Sequence, residues 1–128
     1  MPLINPTKVL YPELSYFICG LCFGIHNELG RFRSEKSYAD ALENMLKQNN
    51  IAYLREKPLE PSFNGEQGRR NIPDFIIEEK IVLDVKAKRI ITKDDYFQMR
   101  RYLEAGNMKL GLIVNFGQKY IAPKRIAN

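Results

Sequence analysis

Apolar residues recur at helical spacing from Leu14 through Ile18, Leu21 and Ile25 to Leu29. Pro12 and Glu13 suit the first turn of that helix, and Gly30 suits its end. Arg31 to Arg33 form a basic elbow. Ser34 then stands where an N-cap belongs, and Tyr38, Ala41, Leu42 and Met45 predict a second helix ending near Asn49–Asn50. Beyond this point the period shortens. Residues 51–59 read as a strand, and residues 60–71, rich in Gly, Glu and Arg, as a polar loop or hairpin tip. Ile72–Ile77 and Ile81–Lys88 are β-prone runs separated by Glu78-Glu79-Lys80. Thr92 predicts the cap of a third helix running to about Ala105, with Asp94 and Asp95 in its positive first turn. Lys109–Asn115 reads as a buried strand and Tyr120–Ile126 as a last short one. The order α-α-β-β-β-α-β predicts an α/β fold, a mixed central sheet flanked by helices. With no repeat or linker in view, a single domain over residues 1–128 is expected.

A hydrophobic content of 45% with 27% charged residues indicates a soluble globular protein. No apolar run approaches the roughly 18 residues of a membrane span, and no signal-peptide pattern precedes the first helix, so a cytoplasmic protein with no membrane partner is expected. The net charge of +5 is uneven: residues 1–79 carry 9 Lys/Arg against 11 Asp/Glu, whereas residues 80–128 carry 11 against 4. A basic second half is compatible with a phosphate backbone as partner. Cys19, Cys22 and His26 share one helix face. Two cysteines cannot build a four-cysteine zinc site or an iron–sulfur cluster within one chain, and packing beside Leu21 and Ile25 is their ordinary role. No P-loop, G-x-S-x-G or H-E-x-x-H pattern is present.

Both central β-prone runs carry an acid where a core strand should be apolar: Asp74 in the first, Asp84 in the second. Lys86 lies two residues beyond Asp84 and so points to the same side. A three-residue loop pairing Ile77 with Ile81 would set Asp74 across from Asp84 on one face, with Cβ atoms ~5 Å apart. A two-residue loop would put them on opposite faces. On one face, two hard carboxylates suit Mg²⁺ or Mn²⁺, with the Val85 carbonyl as a further ligand and Lys86 beside the attacking water. The same residues could instead form a buried ion pair serving only the fold. Glu35, by itself, suits the positive end of the second helix. Gln98 and Tyr102 share a face of the third helix, with Arg101 beside them, and could either meet a phosphate or be merely solvated.

Taken together, Pro73-Asp74 followed by Asp84-Val85-Lys86 matches the PD-(D/E)XK motif of the restriction-endonuclease-like nuclease superfamily. Ile25–Gly30, Glu35-x-x-Tyr38, Leu83–Ala87, Gln98-x-x-x-Tyr102-Leu103 and Gly111–Gly117 resemble the GxxExxY protein family, a branch of that superfamily, from about Leu14 to Ile126. The resemblance implies a restriction-endonuclease-like core with Asp74 and Asp84 as metal ligands and Lys86 as the catalytic lysine. It also implies Glu35 as the acid of the core's first helix, holding a metal directly or through water, and Gln98 and Tyr102 as the helix pair beside the site. The family's glycine three before the glutamate is here Phe32, and Asp84 replaces the commoner glutamate. The expected function is therefore a metal-dependent nuclease acting on DNA or RNA. The alternatives are a non-cleaving nucleic-acid-binding module, favoured by basic residues such as Lys88 and Arg101, and an interaction protein working as a homodimer.

Overall fold

Among residues 11–128, which the computed structural model describes, eight elements form in the order α1 (Pro12–Leu29), α2 (Glu35–Gln48), β1 (Tyr53–Arg55), β2 (Phe75–Ile77), β3 (Ile81–Lys86), α3 (Lys93–Gly106), β4 (Leu110–Asn115) and β5 (Lys124–Ala127). Residues 1–10 of the expected domain lie outside the described residues. The strands make one sheet in the order β1-β2-β3-β4-β5. β1, β2 and β3 form an antiparallel meander, β3 and β4 are parallel, and β5 returns antiparallel to β4. A parallel neighbour needs a crossover, and α3 supplies it. This mixed α/β sheet flanked by helices is the restriction-endonuclease-like architecture.

Both faces of the sheet are covered, so β3 and β4 are apolar almost throughout. Ile81, Leu83 and Val85 pack with Ile18, Ile25 and Leu42 in the core under α1 and α2. Val82 points the other way, to Met99 and Leu103 of α3. Residue alternation therefore turns Asp84 and Lys86 to the α3 side.

Several strand boundaries differ from the expectation: of the run Ile72–Ile77 only Phe75–Ile77 pairs, and the run from Ile81 ends at Lys86 rather than Lys88. The strand expected over residues 51–59 shrinks to Tyr53–Arg55, because Glu56 enters the left-handed region (φ 54°) and Pro58 has no N–H for a ladder. The last strand starts at Lys124, after Pro123, rather than at Tyr120. Cys22 is fully buried in the α1 core and Cys19 half-buried beside it, both as free thiols, and burial holds the Cys22 thiol protonated. No helix among the described residues is long and apolar enough to cross a membrane.

Candidate active site

The hairpin between β2 and β3 turns through Glu78 and Glu79, both in the left-handed region (φ 54° and 56°), and Ile77 pairs with Ile81. This is the three-residue loop. The ladder then runs through Ile76↔Val82 to Phe75↔Leu83, so the next rung brings Asp74 opposite Asp84. Two hydrogen bonds lock that rung: Val85 N–H donates to Asp74 Oδ2 (2.7 Å), and Asp74 N–H donates to Asp84 Oδ1 (3.1 Å). Each carboxylate is thus held by the backbone of the opposite strand. Val85, next after Asp84, has its side chain in the α1–α2 core.

Lys86 reaches across to α3. Its Nζ donates to Gln98 Oε1 (2.9 Å) and lies 3.7 Å from Asp84 Oδ2 and 3.9 Å from Asp95 Oδ1. One turn beyond Gln98, the Tyr102 hydroxyl donates to the Ile72 carbonyl (3.2 Å), tying α3 to the segment that leads into Asp74. Burial, then the charges of Asp84 and Asp74, raise the Tyr102 phenol above its ordinary range.

Glu35 is the exposed first residue of α2, behind the N-cap Ser34 whose Oγ accepts from Ser37 N–H (3.1 Å). With Asp74, Glu56 and Arg55 it lines a cleft of about 460 Å³, and its charge is one of those that raise the Asp74 carboxyl. The tight turn before it is made not at Phe32 but at Gly30 (φ 78°). Tyr38 fixes the elbow from within: its hydroxyl donates to the Gly30 carbonyl, accepts from Arg33 N–H (3.1 Å), and its ring stacks on Phe116 at 4.4 Å. The Glu35-x-x-Tyr38 spacing therefore anchors the start of α2 one turn below Glu35.

Lys88 joins this group only through Asp95, its Nζ paired with that carboxylate at 2.8 and 3.1 Å. Arg101 is exposed on α3. Two contributors escaped the sequence reading. Asp95 is buried, joins Lys88 and approaches Lys86 while accepting from Thr92 N–H (2.8 Å); its only visible signal was a helix-capping position. Asn115 accepts from Lys88 N–H (3.0 Å) and Gly117 N–H (3.1 Å) and donates to the Lys88 carbonyl (2.8 Å). It ends an apolar strand, which gave no hint of that role.

The pair of carboxylates is under-compensated. Asp84 is 2% exposed, and burial, followed by the charge of Asp74, pushes its carboxyl up to about 7 despite the nearby Lys86. Burial also raises Asp74, against the pull of the Val85 N–H and Lys86. One ammonium at 3.7 Å does not neutralise two acids in so dry a place. An all-oxygen donor set with surplus negative charge fits a hard divalent cation. Among the described residues no group of three or more His, Cys, Asp or Glu side chains is poised to hold a metal, so the structure brings Asp74 and Asp84 together but does not gather Glu35 with them into a three-acid set.

Set beside known families, the chain matches the model of the PD-(D/E)XK nuclease superfamily over residues 12–126. No curated protein and no solved structure matches it.

Proposed function

Because the chain belongs to the PD-(D/E)XK nuclease superfamily, we propose that it is a single-domain phosphodiesterase that hydrolyses DNA or RNA with Mg²⁺ or Mn²⁺ at Asp74, Asp84 and Lys86. Nucleases of this superfamily generally use divalent metals. Within it, the Glu35-x-x-Tyr38 and Gln98-x-x-x-Tyr102 spacings support assignment to the GxxExxY branch.

The observation that carries the reading is the rung that seats Asp74 opposite Asp84 with Lys86 Nζ 3.7 Å from Asp84. Asp74 and Asp84 would hold the cation through carboxylate oxygens, with the Val85 carbonyl and Glu35 as further ligands. When bound, the cation supplies a Lewis acid and a water of lowered pKa. Lys86, fixed by Gln98, orients the attacking water and offsets charge building on the phosphate oxygens. Gln98, whose oxygen is taken by Lys86, would orient the strand through its amide N–H, with Tyr102 beside it tying α3 to the segment that leads into Asp74. The water oxygen gives up a proton to solvent and bonds to phosphorus, the bond to the departing sugar oxygen breaks, and that oxygen takes up a proton from solvent.

The test compares wild type with Asp84→Asn and Lys86→Ala on labelled DNA and RNA with Mg²⁺ or Mn²⁺. Each variant should lose at least about 100-fold in cleavage rate, and Asp84→Asn should also lose Mn²⁺ binding in calorimetry. The metal-free Asp84→Asn protein should melt no lower than wild type, because the amide removes an uncompensated buried charge. Full metal-dependent cleavage by Asp84→Asn would end the proposal.

A further inference from the structure

We propose that the cleft between the α1–α2 elbow and the β4–β5 loop is a stacking platform for unpaired bases, which makes the substrate single-stranded nucleic acid rather than duplex. The inference rests on the nuclease reading above and adds to it the class of strand delivered to Asp74 and Asp84.

Two dipeptides from distant parts of the chain, Arg31-Phe32 in the elbow and Lys119-Tyr120 in the loop, have the same order of cation then aromatic, and the fold brings them to one cleft of about 500 Å³. Phe32 is 87% exposed and Tyr120 75%. The Arg31 guanidinium lies 5.0 Å from the Phe32 ring centre, and Lys119 Nζ lies 5.5 Å from that of Tyr120. Single exposed aromatics are ordinary on protein surfaces, but several around one concave patch mark a binding surface. Phe23, 44% exposed, adds a third ring to the lining. Rings that stack on bases, each with a cation that can reach the adjoining phosphate, are what a single strand requires. In a duplex the base faces are already stacked on one another and cannot use them.

The cleft is fixed in place and lies at the catalytic end of the sheet. β3 and β4 are parallel, and Lys86 pairs with Asn115, so residues that follow Asn115 leave the sheet beside those that follow Lys86. His26 Nε2–H donates to the Gln118 carbonyl (2.8 Å), joining the α1 wall to the loop wall. Gln118 Nε2 in turn donates to the Arg89 carbonyl (3.0 Å), three residues beyond Lys86. The cleft thus opens at the end of the sheet where β3 delivers Asp84 and Lys86, on the α1–α2 side, and a strand stacked on Phe32 and Tyr120 would have to cross that end to reach the carboxylates.

Anisotropy titrations in EDTA, with a fluorescein-labelled oligo-dT single strand and a mixed-sequence duplex of equal length, test this without reference to cleavage. Wild type should bind the single strand more tightly. The double variant Phe32→Ala/Tyr120→Ala should lose tenfold or more for the single strand and less than threefold for the duplex. The ring-preserving exchange Phe32→Tyr/Tyr120→Phe should keep wild-type affinity, which separates stacking from any loss of fold. Three results would overturn the platform: single-strand affinity unchanged by the double variant, equal losses on strand and duplex, or a wild-type dimer in light scattering that the double variant converts to monomer, which would make the cleft an interface between copies. Failure here leaves the Asp84→Asn result untouched, and loss of the nuclease reading leaves the binding measurement standing.

Discussion

Lys86 Nζ answers to three groups: Gln98 at 2.9 Å, Asp84 at 3.7 Å and Asp95 at 3.9 Å. Asp95 is shared, because it also takes the Lys88 ammonium at 2.8 Å and so keeps a second cation beside Lys86. Burial works to raise the Asp95 carboxyl, but the hydrogen bonds from Lys88 and Thr92 outweigh it and the group titrates below its ordinary value. A carboxylate depressed in this way stabilises the folded state above the usual carboxylate range and loses that contribution as pH falls through its folded value. Asp95→Asn should therefore cost about 1–3 kcal/mol in urea unfolding at pH 7. Its difference from wild type should close as pH drops below about 4. A difference that persists unchanged to strong acid would show that the charge of Asp95 is not what stabilises. Asp74, Asp84 and Lys86 were legible as a set because strand alternation alone puts the last two on one side. Asp95 was not, since its partner Lys88 lies before the helix it caps and nothing local aims one at the other.

Between elements, the decisive contact is that of the β4–β5 loop against the segment after β3. Gly117 lies so close to it that an added Cβ would stand 2.5 Å from Lys88 N and O. Those are backbone atoms, further held by Asn115, and cannot step aside. At Gly111 the added carbon would meet the side chain of Met99 instead, whose thioether can change rotamer. Gly117→Ala should accordingly lose about 1–3 kcal/mol in denaturant unfolding and more than Gly111→Ala; the reverse order would mean that the loop seam yields more readily than the α3 core. The helices were readable to within a residue or two because Pro12, Gly30, Ser34 and Thr92 mark their ends with local chemistry. β1 was overestimated, because its length is set by pairing with β2, three rungs from Tyr53↔Ile77 to Arg55↔Phe75, and not by its own composition.

Over the whole molecule, the surplus of cations in residues 80–128 divides between internal and external use. Lys86 and Lys88 are committed to Asp84, Asp95 and Gln98, while Arg101 and Lys119 remain exposed. If exposed cations meet phosphates, single-strand binding in EDTA should weaken steeply with salt, with a log–log slope of about −3 for four phosphates contacted. A slope near zero in salt-dependent anisotropy would remove the phosphate surface. Local pattern sufficed for the helix ends, the alternating strands and the acid-acid-lysine set, since a period of two or three and a half residues is written in the chain itself. Whether the acids share a face was open in the sequence and depended on the length of one turn; the left-handed Glu78 and Glu79 and the Ile77↔Ile81 rung decided it. The meeting of Arg31-Phe32 with Lys119-Tyr120, and the attachment of Asp95 to Lys88, required the sheet to close and α3 to cross over it. Contacts between residues far apart in sequence are set by packing and register, and no local spacing encodes them.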